Sequence, residues 1–389
     1  MIGWRPHADA LVAELTRAGV LASGWRRAFE QVPRHVFVPE FFTADDERVS
    51  ADNPAQHDRW LAAVYSDVSL TTQLLAAPGT DLMWPTSSST RPSLMARMLG
   101  LLDVADGHRA LEIGTGTGYN AALLSHRLGD ANVTSIDIDP ALVETARGRL
   151  ADLGYRPQLS VGDGAEGVAE QAPYDRIVAT CGVPTVPRAW ITQLTASGLI
   201  VADVRGELSS SLVVARKSTP HSVTGRFLAS SGHFMWMRAK ADNPLRNGGG
   251  FGAVIDFTDA ETDTTSIPLA AFDDEDFRFI LQLAVPRLGP VGYTIRDGRE
   301  GIFLVTDDDR SWVEISPDTG NESTVCYGGP RPLWPDMADR WGWWNALGRP
   351  ERSRFGLTAH DDGRHHTWLD HENQPVHRYE DGGPEIEAT

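Results

Sequence analysis

The sequence is poor in cysteine, in long apolar runs and in positive charge. Cys181 and Cys326 are the two cysteines of the 389-residue chain, and they lie far apart. A disulfide framework is therefore not expected. No apolar segment reaches the roughly 20 residues needed to span a bilayer, and no apolar run follows a basic start at the N-terminus. Against 53 Asp and Glu stand 35 Lys and Arg, giving a formal net charge of −18. Such a chain offers no broad phosphate-binding face, so nucleic acid is excluded as an expected substrate. The deficit is larger in residues 220–389, with 16 basic against 28 acidic groups, than in residues 1–219, with 19 against 25. A soluble cytoplasmic protein with no membrane partner is the expectation.

What is present centres on Arg109-Ala-Leu-Glu-Ile-Gly-Thr-Gly-Thr-Gly-Tyr-Asn120. Ala110, Leu111 and Ile113 read as a buried strand, and Gly114, Gly116 and Gly118 permit positive φ and close backbone approach. Ala121–Leu128 reads as a helix whose first N–H groups point back at the loop. Strand, glycine turn and helix predict the first unit of a doubly wound nucleotide-binding sheet. A dinucleotide fingerprint would need a small residue at 119, which is Tyr, and a P-loop would need a lysine that the loop lacks. Acids stand in their place. Glu112 precedes the glycines, and Asp137 ends the next strand, 21 positions after Gly116, where a carboxylate can take two ribose hydroxyls. Asp163, between Gly162 and Gly164, ends a third strand and is placed for an adenine amino group. Acids around a glycine loop suit an uncharged ribose and a cationic sulfonium, so S-adenosylmethionine is the expected ligand. The alternatives are another nucleotide or an inert glycine turn. The expected cofactor set is Glu112, Gly114, Thr115, Gly116, Gly118, Tyr119, Asn120, Asp137, Ile138, Gly162, Asp163 and Gly164.

Along the chain, helical spacing of Leu11, Leu15 and Ala18, then of Trp25, Ala28, Phe29 and Val32, predicts two N-terminal helices, the second ended by Pro33. Residues 43–60 read as a polar loop and Tyr65–Leu70 as an extended segment. Residues 76–93, with Pro78, Gly79, Pro85 and Pro92, read as a shaped loop, with Ser93 capping a following helix. Strands at 132–137, 174–180, 198–203 and 211–216 alternate with helices at 140–153 and 186–194, which predicts a mainly parallel sheet covered on both faces. Residues 220–250, ending in Asn247-Gly-Gly-Gly250, read as a connecting segment, with Phe234–Arg238 packed against the first domain. Residues 251–389 read as a smaller α+β domain. Its strands are expected at 253–257, 301–306, 311–315 and 367–369, its helices at 274–284 and 335–347, and its tail from Glu380 is expected to fray.

Val32-Pro-Arg-His-Val-Phe-Val-Pro-Glu40, Leu111–Leu124, Gly162-Asp-Gly164 and Ala172-Pro-Tyr-Asp-Arg-Ile177 occur in that order. Together they resemble protein-L-isoaspartate O-methyltransferases over roughly residues 20–216. The resemblance implies a class I S-adenosylmethionine-dependent methyltransferase, a Rossmann-like α/β fold, with a peptide Asp-type carboxylate as acceptor. In that family a Thr-Ile-Ser-x-Pro loop carries an active-site serine. Here the run is Ser88-Ser-Thr-Arg-Pro92, so Thr90 takes the serine's place with Ser88, Ser89 and Arg91 around it. These four are the expected catalytic residues. Thr90, helped by Ser88 and Ser89, would hold the acceptor carboxylate, and Arg91 would neutralise it or face solvent.

The added C-terminal part carries Leu333-Trp334, Trp341, Trp343-Trp344, Arg354–Thr358 and Trp368–Asp370. It resembles the extensions of homologues that modify ribosomally made bacterial peptides such as lanthipeptides and graspetides. That likeness implies a precursor peptide, already macrocyclised in some cases, as partner. It also implies an ordinary Asp whose methyl ester collapses to an aspartimide. General isoaspartate repair and a non-catalytic S-adenosylmethionine-binding regulator remain open. His360, His365, His366 and His371 lack partner cysteines at zinc spacing, so no metal is expected. The seven tryptophans after residue 219 read as core of a small domain or as a peptide groove. Cys181 reads as a packing residue.

Overall fold

A computed structural model describes residues 3–77, 81–241, 257, 259–285, 287–289, 291–296, 299–306, 310–317 and 322–380. The chain opens with helices α1 (Trp4–Arg17), α2 (Ser23–Gln31) and α3 (Arg34–Phe37). Then come strands β1 (Glu40–Phe42) and β2 (Arg48–Ser50), helix α4 (His57–Val64), and the hairpin β3 (Leu70–Ala76) and β4 (Met83–Ser89). Next is α5 (Pro92–Leu101), followed by β5 (Ala110–Ile113), α6 (Tyr119–Leu128), β6 (Val133–Asp137), α7 (Pro140–Asp152) and β7 (Gln158–Val161). The unit continues through β8 (Tyr174–Val183), α8 (Arg188–Gln193), β9 (Leu194–Arg205), β10 (Ser210–Thr219) and β11 (Ser222–Phe227). The remainder holds β12 (Glu261–Thr265), α9 (Glu275–Ala284), β13 (Gly292–Arg296), β14 (Arg299–Val305), β15 (Trp312–Pro317), β16 (Ser323–Gly328) and α10 (Leu333–Ala346). Last come β17 (Phe355–His360), β18 (Arg364–Leu369) and β19 (Pro375–Glu380).

The central sheet has ten strands in the order β19-β18-β17-β11-β10-β9-β8-β5-β6-β7. Strands β7, β6, β5, β8 and β9 run parallel, as βαβ crossovers require, and β10, β11 and β17–β19 extend them antiparallel. Neighbouring residues on one strand serve opposite faces. Ile177 and Ile200 face one core, shared with Phe277, Phe279, Trp334 and Trp344 of the C-terminal part. Val178 and Val201 face the other, shared with the N-terminal helices and with Leu123 and Leu124 of α6. Each face is thus covered by a different end of the chain.

Residues 43–60 are not all loop, because Arg48–Ser50 pairs with β1, and Trp60, Leu61 and Val64 bury one face of α4. Residues 65–69 form no strand; the carbonyls of Val64, Ser66 and Val68 accept from the Arg34 guanidinium instead. Residues 83–89 form a strand, and Pro85 is tolerated because β4 lies at the edge of the four-stranded sheet β2-β1-β3-β4. Ser93 is not the cap of α5. Pro92 is its first residue after Arg91, and the Ser93 N–H donates to Asp67 Oδ1 at 2.7 Å.

The segment at 220–250 is not merely a connector, since β11 is a full member of the central sheet. The C-terminal part divides in two. Strands β12-β16-β15-β14-β13 form a separate five-stranded sheet, whereas β17–β19 continue the central one. The expected helices at 274–284 and 335–347 correspond to α9 and α10. Residues 247–250, nearly all of the strand expected at 253–257, and the tail beyond 380 lie outside the described residues. Trp312, Trp334, Trp344 and Trp368 are buried in the core. No helix among the described residues is long and apolar enough to cross a membrane.

Candidate active site

The glycine loop leaves β5 and enters α6 at the C-terminal edge of the parallel strands, where such sheets bind ligands. Gly116 has φ +50°, and a Cβ there would sit 3.6 Å from Ser87 Oγ of β4. The loop and the hydroxyl-bearing strand therefore face each other closely. Gly118 has φ +88°, and a Cβ there would press on Ala146 of α7 at 3.0 Å, so only glycine lets the two helices pack.

Two acids stand behind this loop. Asp137 Oδ2 accepts the Gly116 N–H at 2.8 Å and Oδ1 accepts the Asp139 N–H at 3.1 Å. Burial raises its pKa, with the two N–H groups and Arg238 opposing the rise. Glu112 is fully buried; Oε1 accepts from Asn120 Nδ2 at 2.8 Å and Oε2 from Ser135 Oγ at 2.6 Å. Thr115 Oγ1 lies 2.7 Å from Ser135 Oγ, which completes a polar chain under the loop. Burial lifts the Glu112 carboxyl from 4.5 to about 7, against the pull of its two hydrogen bonds.

A raised acid binds its proton more tightly in the folded chain, so stability contributed by Glu112 is greatest at low pH and is lost as pH rises toward 7. Comparing denaturant midpoints at pH 5 and 7, Glu112→Gln is expected to remove about 2 kcal/mol of this pH dependence. An unchanged slope would show that Glu112 is not responsible.

The other wall is Thr86–Thr90, the end of β4 and the residue after it. Arg34, from the Val-Pro-Arg segment, fixes it. Its buried guanidinium donates to Ser89 Oγ at 3.2 Å, to the Ser89 carbonyl at 3.2 Å and to the Thr90 carbonyl at 3.0 Å. Burial lowers its pKa to about 10, which leaves it charged at neutral pH. The Ser89 hydroxyl oxygen is thus held by Arg34, whereas no such bond to a described residue engages the hydroxyls of Ser88 and Thr90.

A third wall was visible in the sequence only as a packed segment. Phe234 donates its N–H to Asp203 at the end of β9 at 3.1 Å. The chain then crosses the tip of β8, where the Gly182 N–H meets the Met235 carbonyl at 2.8 Å and the Met237 N–H meets the Gly182 carbonyl at 2.9 Å. Met237 reaches Gly164, whose Cβ would lie 3.1 Å from its sulfur. Residues 234–238 therefore strap over the strand tips, and Met235, Trp236, Met237 and Arg238 line the cleft. Arg205 stacks on Trp236 at 4.5 Å.

Of the expected residues, Ser88, Ser89, Thr90, Glu112, Gly114, Thr115, Gly116, Tyr119, Asn120, Asp137, Ile138 and Gly164 line this one cleft. Gly118, Gly162, Asp163 and Arg91 do not. Asp163 accepts the Ala165 N–H at 2.9 Å, and Arg91 is exposed, its N–H on Ser69 Oγ at 3.1 Å. Cys181 also lines the cleft, and burial raises its thiol pKa, which leaves it a neutral wall. Of the histidines, His365 is buried between the carbonyls of Gly363 at 2.9 Å and Val186 at 3.1 Å, holding β18 against the main body. No group of His, Cys, Asp and Glu suited to a metal occurs among the described residues.

The cleft fits S-adenosylmethionine on its own terms. Asn120 Oδ1, in the cleft lining, is buried without a partner among the described residues, an orphan acceptor that a ligand N–H could satisfy. Asp137 keeps lone pairs for ribose hydroxyls beyond its two backbone bonds. Fold and cleft together define a class I S-adenosylmethionine-dependent methyltransferase, with S-adenosylmethionine as its cofactor.

Residues 6–233 match the family described as protein-L-isoaspartate(D-aspartate) O-methyltransferase, and the chain belongs to it. Among similar curated proteins is protein-L-isoaspartate O-methyltransferase 2 of Archaeoglobus fulgidus, 35% identical over 198 residues, covering 50% of this chain and 77% of the relative. Another is protein-L-isoaspartate O-methyltransferase of Methanopyrus kandleri, 31% identical over 227 residues, covering 57% and 88% respectively. A solved structure described as protein-L-isoaspartate O-methyltransferase aligns with TM-score 0.53 and 24% identity over 94% of this chain and 100% of its own. The fold therefore has a counterpart that takes in the C-terminal part. The family match stops at 233, one residue before the strap.

Proposed function

We propose that this chain esterifies an Asp side-chain carboxylate in a ribosomally made precursor peptide, with residues 251–389 helping to select that peptide. The observation that carries the chemistry is the composition of the cleft. Ser88 and Thr90 line it together with the glycine loop, and among the described lining residues there is neither histidine nor lysine to act as a base. A carboxylate, with a reference pKa of about 4, needs none, since it is already ionised at neutral pH. S-adenosylmethionine supplies an electrophilic methyl on a sulfonium. The chain's own task is to position and to exclude water. Thr90 and Ser88 hold the acceptor oxygens, Arg34 holds Thr90, and the strap covers the strand tips.

The resulting ester is uncharged. The backbone nitrogen of the following residue can attack the ester carbonyl, close a five-membered imide and release methanol with its own proton. A maturation enzyme keeps that imide or its hydrolysis product.

General isoaspartate repair is the second reading. The curated relatives carry that name, and a protein so described shares the fold over nearly this whole chain, so the extension alone does not set this one apart. Labelled S-adenosylmethionine offered with simple isoaspartyl peptides separates the two: negligible turnover is expected, and robust turnover would reject maturation. On the peptide that is turned over, Thr90→Ala should lower kcat about tenfold, the value of one hydrogen bond to a charged group, with donor affinity unchanged. An unaltered kcat would remove Thr90 from the acceptor site.

A further inference from the structure

The hairpin β3–β4 carries the acceptor wall, and helix α7 follows directly from the acid-bearing tip of β6. One side chain joins them. Gln73 of β3 donates from Nε2 to Asp139 Oδ2 at 3.0 Å and accepts at Oε1 from Thr86 Oγ1 of β4 at 2.8 Å. Asp139 is the N-cap of α7, taking the Ala141 N–H at 2.9 Å and the Leu142 N–H at 3.4 Å on its other oxygen. Its own N–H rests on Asp137, which in turn holds the Gly116 N–H. A continuous line of hydrogen bonds therefore runs from the acceptor strand to the donor loop.

Gln73 suits this task because its amide offers a donor and an acceptor on one rigid plane. Asp139 needs the donor, and Thr86 supplies a proton to the acceptor. Neither a carboxylate nor an apolar side chain can serve both. Ser87 of the hairpin already lies close to the glycine loop, where a Cβ at Gly116 would sit 3.6 Å from its hydroxyl. The Gln73 link adds a point of attachment between the hairpin and the donor side of the cleft.

We infer that Gln73 is a positioning residue: it clamps the acceptor hairpin to the start of α7 beside the donor loop, and so sets the distance between the two substrates. This rests on reading Thr86–Thr90 as the acceptor wall. The clamp makes the hairpin and the donor site one unit, so donor binding should be felt in the hairpin.

Hydrogen exchange of residues 70–89, with and without S-adenosylmethionine, tests this without any acceptor. In the parent chain the donor should slow exchange in the hairpin. In Gln73→Leu that protection should be lost, and donor Kd should rise about tenfold, with the melting temperature nearly unchanged. Gln73→Glu, which sets a carboxylate oxygen against that of Asp139 and offers it no donor, should behave like Gln73→Leu. Hairpin protection and affinity equal to the parent in both variants would overturn the clamp, as would a fall in melting temperature that accounts for the whole loss. If the donor binds and protects the hairpin but no Asp-containing peptide is methylated, the acceptor assignment fails while the clamp stands.

Discussion

Asp137→Ala should lose S-adenosylmethionine binding by about 100-fold or more without unfolding the chain. In the proposed reading the carboxylate takes two ribose hydroxyls, and each hydrogen bond to a charged group contributes roughly 1.5–3 kcal/mol, which together exceed two orders of magnitude in Kd. Stability should move the other way or not at all. Burial disfavours the ionised carboxylate in the folded state, so removing it relieves a cost that offsets the loss of its bonds to Gly116 and Asp139. Isothermal calorimetry together with a denaturant titration checks both halves. Unchanged donor affinity would remove Asp137 from the ribose site.

Arg34→Met should be the most destabilising change at the site, by several kcal/mol, since each buried acceptor left without a donor costs about 1–3 kcal/mol. Methionine fills much of the volume but donates nothing. The carbonyls of Val64, Ser66, Val68, Ser89 and Thr90 would then be left without their donor, several of them out of water. Because these carbonyls come from the turn before β3 and from the acceptor wall, the hairpin should loosen before the parallel sheet does. Equilibrium unfolding should show the loss, and proteolysis confined to residues 65–91 should show its location. A variant with parent stability would mean that water replaces the guanidinium.

Both effects show how unevenly the site was written in the sequence. The donor half was legible because its logic is local. Glu112, the three glycines and Asp137 sit at fixed distances along one strand-turn-helix-strand unit, and the structure places most of that set around one cleft. The acceptor half was legible as a hydroxyl run, but its strand was hidden by Pro85, which reads as a breaker unless the strand is known to be an edge.

Long-range partners were beyond reach. Arg34 acts on residues up to 56 positions away, and nothing in Val-Pro-Arg names the carbonyls that it will find. Met235–Met237 look like ordinary apolar residues until Gly182 pairs with them over the strand tips. The C-terminal part misled in another way. Turn-rich short strands suggest a separate domain, yet β17 pairs with β11 from Ser222↔His360 to Arg226↔Gly356 and enlarges the first sheet. Which sheet a strand joins depends on an edge left open elsewhere, and that edge has no local signature.

The most direct test is mass spectrometry of candidate Asp-containing precursor peptides incubated with the protein and S-adenosylmethionine. The account predicts the gain of one methyl group on an Asp, then the loss of methanol, both abolished in Asp137→Ala. Methylation at any site other than a side-chain carboxylate, or a peptide left unmodified while isoaspartyl peptides turn over freely, would contradict it.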